Sequence, residues 1–208
     1  MIAIVDYGVG NLRSVQKAME RVGVRGIVTG ERSLIRQARG IILPGVGAFG
    51  DAINTLRRAG LDEVVLECVE RRVPLLGICV GMQMLFDESE EMGRHRGLGI
   101  LPGSVVRFAP GLKVPHVGWN QIYPRAAAAG RPSPLLAGIR PDDYAYFVHS
   151  YYPVPADENV VLATTEYGVE FASAVGVGRV FGIQFHPEKS QDIGLRILKN
   201  FAEVVERA

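Results

Sequence analysis

Two segments far apart in the chain hold the side chains best suited to covalent chemistry. The first, Leu75-Leu76-Gly77-Ile78-Cys79-Val80-Gly81-Met82-Gln83-Met84-Leu85, passes from strand-like apolar residues into a helical pattern through G-x-C-x-G. The same layout around serine is the nucleophile elbow, a sharp strand-to-helix turn that exposes the attacking atom and needs small neighbours. A cysteine there stands at a helix N-terminus, where unpaired N–H groups and the dipole favour a thiolate. The Val80 N–H then offers one oxyanion donor. A cysteine on an arbitrary strand-helix junction is more often plain core, since free Cys is among the most buried residue types. The flanking glycines set Cys79 apart from that reading. The second segment, Val180-Phe181-Gly182-Ile183-Gln184-Phe185-His186-Pro187-Glu188, is an apolar strand ending in His-Pro-Glu. Pro187 restricts how the chain leaves that strand, so His186 and Glu188 can project to one sheet edge. His186 would take the thiol proton and Glu188 would orient the imidazole. A lone histidine after a strand is usually structural; its pairing with an elbow cysteine favours chemistry.

A third piece, Ile41-Ile42-Leu43-Pro44-Gly45-Val46-Gly47-Ala48-Phe49-Gly50, lies at the end of another parallel strand, where open α/β sheets place their ligands. Its glycines either present N–H groups to an oxyanion or only make a tight turn. G-x-x-x-x-G-K-[ST] is absent, which weighs against nucleotide binding. The four histidines, His95, His116, His149 and His186, are scattered, with no C-x-x-C and no H-E-x-x-H, so no metal is expected. Cys68 falls on the apolar face of its helix and reads as core, and Glu88, Glu90 and Glu91 read as a solvated run.

The elements that must position these groups follow from periodicity. The first half alternates short β-branched runs (Ile2 to Asp6, Val24 to Val28, Ile41 to Leu43, Leu75 to Ile78) with helices at Leu12 to Val22, N-capped by Asn11, and around Ile53 to Val69. That rhythm implies βαβ units around a buried, mostly parallel sheet with helices on both faces. From about Ser104 the strand candidates crowd together (Ser104 to Phe108, Val117 to Tyr123, Tyr144 to His149, Val160 to Thr165, Phe171 to Val175, Arg179 to Phe185), suggesting antiparallel ribbons added to that sheet. A helix from about Asp192 to Val205 closes the fold, and Arg125 to Pro134 reads as a surface loop. With 208 residues, 48% of them hydrophobic, one α/β domain spanning 1–208 is expected. Lys plus Arg and Asp plus Glu, 23 against 22, leave no field to draw nucleic acid or a lipid surface. No run approaches the ~20 apolar residues of a membrane span, and the start lacks a signal-peptide pattern. The chain therefore reads as soluble and cytoplasmic.

Taken together, L-G-I-C-V-G-M-Q, P-G-V-G and H-P-E resemble the class I, or triad, glutamine amidotransferases over most of the chain. More narrowly, I-V-D-Y-G-V-G-N-L-R-S-V, P-G-V-G-A-F, K-V-P-H-V-G-W-N and Y-F-V-H-S-Y-Y are similar to the glutaminase subunits of imidazole glycerol phosphate synthases, in histidine biosynthesis. The resemblance implies a flavodoxin-like domain that cuts ammonia from glutamine through a Cys79-His186-Glu188 triad. It implies heterodimerisation with a (β/α)8-barrel cyclase, into which the ammonia is channelled. It also implies an oxyanion hole from Val80 and the Gly45-Val46-Gly47 turn. Gln83, Glu91, His149, Ser150 and Tyr151 would form the glutamine site, although Glu88 and Glu90 compete with Glu91 for its role. Trp119 and Lys189 would face the partner. Cysteine-elbow peptidases, glutaminases of other pathways and a catalytically silent binding subunit are the rival readings. The intact triad argues against the last, and K-V-P-H-V-G-W-N with P-G-V-G favours the histidine pathway.

Overall fold

The computed structural model describes residues 1–125 and 133–208; most of the expected loop Arg125 to Pro134 lies outside the described residues. In chain order the elements are β1 Ile2–Val5, α1 Leu12–Arg21, β2 Gly26–Thr29, α2 Arg32–Arg36, β3 Gly40–Gly45, α3 Phe49–Arg58, α4 Leu61–Glu70, β4 Leu75–Cys79, α5 Val80–Gln83, β5 Phe86–Ser89, β6 His95–Arg96, β7 Leu101–Arg107, β8 His116–Gln121, β9 Tyr123–Pro124, β10 Tyr144–His149, β11 Tyr151–Pro155, β12 Val161–Glu166, β13 Glu170–Val177, β14 Val180–Ile183 and α6 Gln191–Glu206. The main sheet runs β2-β1-β3-β4-β14-β13-β12-β9. Its first five strands are parallel and the last three antiparallel. β1, β3 and β4 are buried at every position, which is why they read as unbroken apolar runs with no alternation.

From β1 the chain steps outward to β2 through α1, then returns past β1 to β3 and β4. Right-handed crossovers made in opposite directions put their helices on opposite faces. The contacts agree: α1 packs with α6, whereas α2 and α3 pack with α4. Among the described residues no helix is long and apolar enough to cross a membrane.

Three expectations need correction. The helix foreseen around Ile53 to Val69 is two helices, broken where Gly60 adopts φ 60° and donates its N–H to Arg57 O at 2.8 Å. That left-handed glycine is a helix terminator, and the Arg32 side chain, bonded to Ala59 O at 2.9 Å, fills the space a side chain at Gly60 would need. Only part of the second half extends the main sheet. β8 and β10 form a separate two-stranded ribbon, and β11-β7-β5-β6 a four-stranded sheet, of which β5, β6 and β11 had no counterpart in the periodicity. Asn11 does precede α1, but its side chain makes no capping hydrogen bond.

Candidate active site

Three neighbouring parallel strands deliver the reactive groups to one edge. Gly45 of β3 pairs with Cys79 of β4, and Ile78 of β4 with Ile183 of β14, so the chain leaves the sheet side by side at the glycine turn, the cysteine and the Gln184–Glu188 segment. This is the carboxyl end of the strands. Cys79 sits at φ 54°, ψ −114°, a conformation that crowds its Cβ. Glycines make the strain tolerable by letting backbone meet backbone. A Cβ on Gly77 would stand 2.7 Å from Gly81 O, one on Gly45 2.6 Å from Gly81 N, and one on Gly81 would collide with Leu43 O. The two glycine motifs are thus a single packed junction of β3, β4 and α5. Gly81→Ala is accordingly expected to destabilise the fold by about 1–3 kcal/mol and to displace Cys79. Chemical denaturation checks this; parent-like stability would mean that the junction has room. The helix after the elbow is one turn, so its dipole is short and electrostatic support for a thiolate falls mainly to His186.

His186 starts the 3-10 turn Pro187–Lys189, which folds Glu188 back beneath the ring. Its Nδ1 donates to Glu188 Oε1 at 3.0 Å, both side chains buried, which leaves the other ring nitrogen for the thiol. Burial alone would depress this imidazole, but the neighbouring Cys79 sulfur and the Glu188 carboxylate outweigh it and raise its pKa to about 10. The segment is fixed by Ser190, whose hydroxyl donates to His186 O at 2.6 Å and accepts the Tyr146 N–H at 2.9 Å, while His186 N donates to Tyr146 O at 2.9 Å. Asn11 reaches Glu188 Oε1 through Nδ2 at 3.4 Å, so the residue read as a helix cap touches the triad carboxylate. Tyr7, also missed, donates its hydroxyl to Pro44 O at 2.7 Å just before the glycine turn. Its phenol is pushed upward by burial and then by the nearby Cys79. Aspects of both were available in V-D-Y-G-V-G-N, which follows the first strand, but nothing in the spacing said which residues that segment would meet.

A pocket of about 170 Å³ opens above Cys79 and is lined by Val46, Gly47, Val80, Gln83, Glu91, Val148, His149, Ser150, Tyr151, His186 and Lys189. Of the expected site residues, Gly45 is buried behind it, Glu188 supports it through His186, and Trp119 stands apart from it. The three neighbouring acids have separate fates. Glu88 pairs with Arg94 at 2.7 Å and Glu90 accepts the Arg107 N–H at 3.0 Å. Glu91 lines the pocket while holding the Phe49 N–H at 2.7 Å, so the run is solvated at Glu90 and also makes specific contacts.

Tyr151 O accepts both His149 Nδ1 at 2.9 Å and Gln83 Nε2 at 3.0 Å, and Ser150 O accepts the Phe108 N–H at 3.1 Å. His149 must therefore carry its proton on Nδ1, so its Nε2 accepts from His116 Nδ1 at 3.0 Å. Burial brings His149 down to about 3 and His116 to about 4. This neutral pair, set among Phe108, Phe147 and Phe171, stiffens the 149–151 segment.

Beside the pocket, the β8–β10 ribbon turns Val117, Trp119 and Tyr144 outward, each about half exposed at 56%, 47% and 48%. Alternation puts His116, Phe147 and His149 on the inner face. Trp119 meets the Tyr146 ring edge-on at 6.0 Å, and Lys189 Nζ lies 5.5 Å from the centre of the same ring. Tyr146 is thus the unforeseen residue that joins the two expected partner-facing side chains.

Comparison with known proteins gives this geometry its context. Residues 3–205 match the family Glutamine amidotransferase class-I. The imidazole glycerol phosphate synthase subunit HisH of Moorella thermoacetica is 54% identical over 208 residues, covering 100% of this chain and 96% of that one. The protein of the same name from Geobacillus kaustophilus is 53% identical, covering 98% and 97%. A crystal structure of a glutamine amidotransferase superposes with a TM-score of 0.77 at 22% identity, over 99% of this chain and 98% of that one, which supports the fold. The chain belongs to the class I glutamine amidotransferases and, within them, to the HisH subunits of imidazole glycerol phosphate synthase.

Proposed function

We propose that residues 1–208 form one glutaminase domain in which Cys79, His186 and Glu188 hydrolyse glutamine. The observation that carries this reading is the strained Cys79 at the floor of a pocket whose wall holds the buried His186–Glu188 pair. The Cys79 sulfur adds to the side-chain amide carbon, and the oxyanion is held by Val80 N–H and a donor from the Gly45-Val46-Gly47 turn. His186 protonates the nitrogen as the C–N bond breaks, and ammonia leaves a thioester. His186 then takes a proton from water, whose oxygen adds to the thioester and releases glutamate. Glu188 keeps the imidazole in the required tautomer throughout.

Glu91 meets the substrate ammonium, and the N–H groups of the 149–151 segment meet its carboxylate. Gln83 has both N–H bonds directed into the protein, to Tyr151 O and Gln184 Oε1, so it offers the substrate its carbonyl oxygen. The ammonia passes to a (β/α)8-barrel cyclase, which performs the lyase step that yields imidazole glycerol phosphate and aminoimidazole carboxamide ribotide. The mechanism uses no cofactor, and the setting is the cytoplasm, in keeping with two unpaired cysteines.

The partner docks on the outward face of β8 and β10, where Val117, Trp119 and Tyr144 are exposed. Replacing Trp119 or Lys189 by alanine is expected to weaken the heterodimer, by about 2 kcal/mol or more for the aromatic anchor. Titration calorimetry with the cyclase reads this directly. Unchanged affinity in both variants would place the interface elsewhere. The activity itself is tested by following glutamate release from glutamine by the complex; a complex that makes imidazole glycerol phosphate from ammonium but never from glutamine would overturn the assignment.

A further inference from the structure

We propose that Gln184 is a further catalytic residue, a buried amide whose N–H donates to the Cys79 sulfur and holds its charge when the thiol ionises. The inference rests on the reading of Cys79 as the nucleophile. Gln184 is wholly buried, one residue past β14 and level with Cys79, and its Nε2 lies 3.7 Å from Cys79 Sγ. The direction of this bond is determined, because an amide can face the sulfur with either its nitrogen or its oxygen. Tyr151 O can only accept, so Gln83 must present Nε2 to it at 3.0 Å. The second N–H of that same nitrogen reaches Gln184 Oε1 at 3.1 Å, which leaves Gln184 Nε2 for the sulfur. A single backbone carbonyl, two residues beyond the histidine of the substrate segment, thereby sets the polarity of a chain that ends at the nucleophile.

The bond discriminates between the two states of the thiol. A neutral sulfur is a weak acceptor and a thiolate a strong one, so an N–H fixed in place beforehand stabilises the ionised form more. The neutral thiol has its own acceptor, Val148 O at 3.9 Å, which must be given up on ionisation. The other ionisable groups around the sulfur are His186, the Tyr7 phenol, and Glu91, His149, Tyr151 and Lys189 around the pocket. Gln184 differs from all of these in being neutral at every pH and shielded from water.

The test is the rate at which iodoacetamide alkylates Cys79 in the full chain, followed from pH 5 to 10 with the site mapped by mass spectrometry. Gln184→Met, which fills similar space without a donor, should lower the rate at pH 7 about tenfold, the low end for a hydrogen bond to a charged group. The rate should return to the parent plateau in alkali, where ionisation no longer limits it. An unchanged rate at pH 7 would overturn the proposal, and so would a fall by one factor at all pH values, since that reports access instead of charge. A fold too disturbed to compare leaves a measurement on the parent. The ¹⁵N resonance of the Gln184 side-chain amide should move across the pH range with the same midpoint as alkylation, and a resonance that stays still overturns the proposal. If parent Cys79 is inert while Cys68 reacts, the nucleophile reading fails instead.

Discussion

Replacing Cys79 by alanine is expected to reduce glutamine-dependent synthesis by the complex about 10⁴-fold or more, while ammonium-dependent synthesis by the cyclase continues. The division follows from the geometry. Cys79 is the sole sulfur in the pocket, and Cys68, the other cysteine, is fully buried on α4 with its thiol directed to Ile35 O at 3.8 Å. Removing Cys79 Sγ takes away its contact with Val148 O but leaves Val117, Trp119 and Tyr144 in place, so docking on the proposed face and the second active site should persist. Cys79→Ser should fare almost as badly, because His186 is poised for a thiol and an alkoxide is far harder to form at neutral pH. Parallel rate measurements with glutamine and with ammonium chloride check both variants. Equal loss of the two activities would contradict the separation of a glutaminase from a synthase site.

The second large effect concerns the isolated chain, which is expected to be nearly silent and to gain roughly 10²- to 10³-fold when it binds a cyclase loaded with its ribonucleotide. In the proposed mechanism two donors converge on the oxyanion, one from Val80 and the other from a turn that is fastened at both ends. Gly45 is wedged against Val80 and Gly81, and Phe49 N–H is held by Glu91. Between those anchors Val46 is exposed, and Gly47 sits at φ 83° with open space around it. The Val46–Gly47 peptide is therefore the part that can rotate its N–H into or out of the pocket at small steric cost. A partner that prefers the inward form shifts the population by its differential affinity alone. Glutamate release should be measured for the chain alone, with the cyclase, and with the cyclase plus ribonucleotide. Similar rates in all three would contradict gating at this turn.

Much of this arrangement was legible in the sequence because backbone constraints dominate it. G-x-C-x-G and P-G-V-G are glycine-dependent close approaches, and each marks its own strand end without knowledge of the other. His186 and Glu188 were legible for a similar reason, since Pro187 fixes the turn that stacks them. What stayed hidden depends on pairing between distant segments. Tyr7 meets Pro44 because β1 lies beside β3 in the sheet, and Asn11 meets Glu188 because α1 packs against the turn that follows β14. Gln184 looked like one more residue of an apolar strand, and its role emerges from a chain of acceptors that begins at Tyr151. The β8–β10 ribbon was read as sheet extension because alternation reports which face of a strand is buried, but not which sheet it joins.

In the proposed reaction Cys79, activated by His186, attacks the side-chain carbonyl of glutamine. This step is tested most directly by exposing the complex with its cyclase to an electrophilic glutamine analogue and locating the adduct by peptide mass spectrometry. One adduct is expected, on Cys79, suppressed by excess glutamine and reduced at least ~10²-fold in rate by His186→Ala. An adduct on Cys68, or labelling of Cys79 that neither glutamine nor the His186 variant affects, would contradict it.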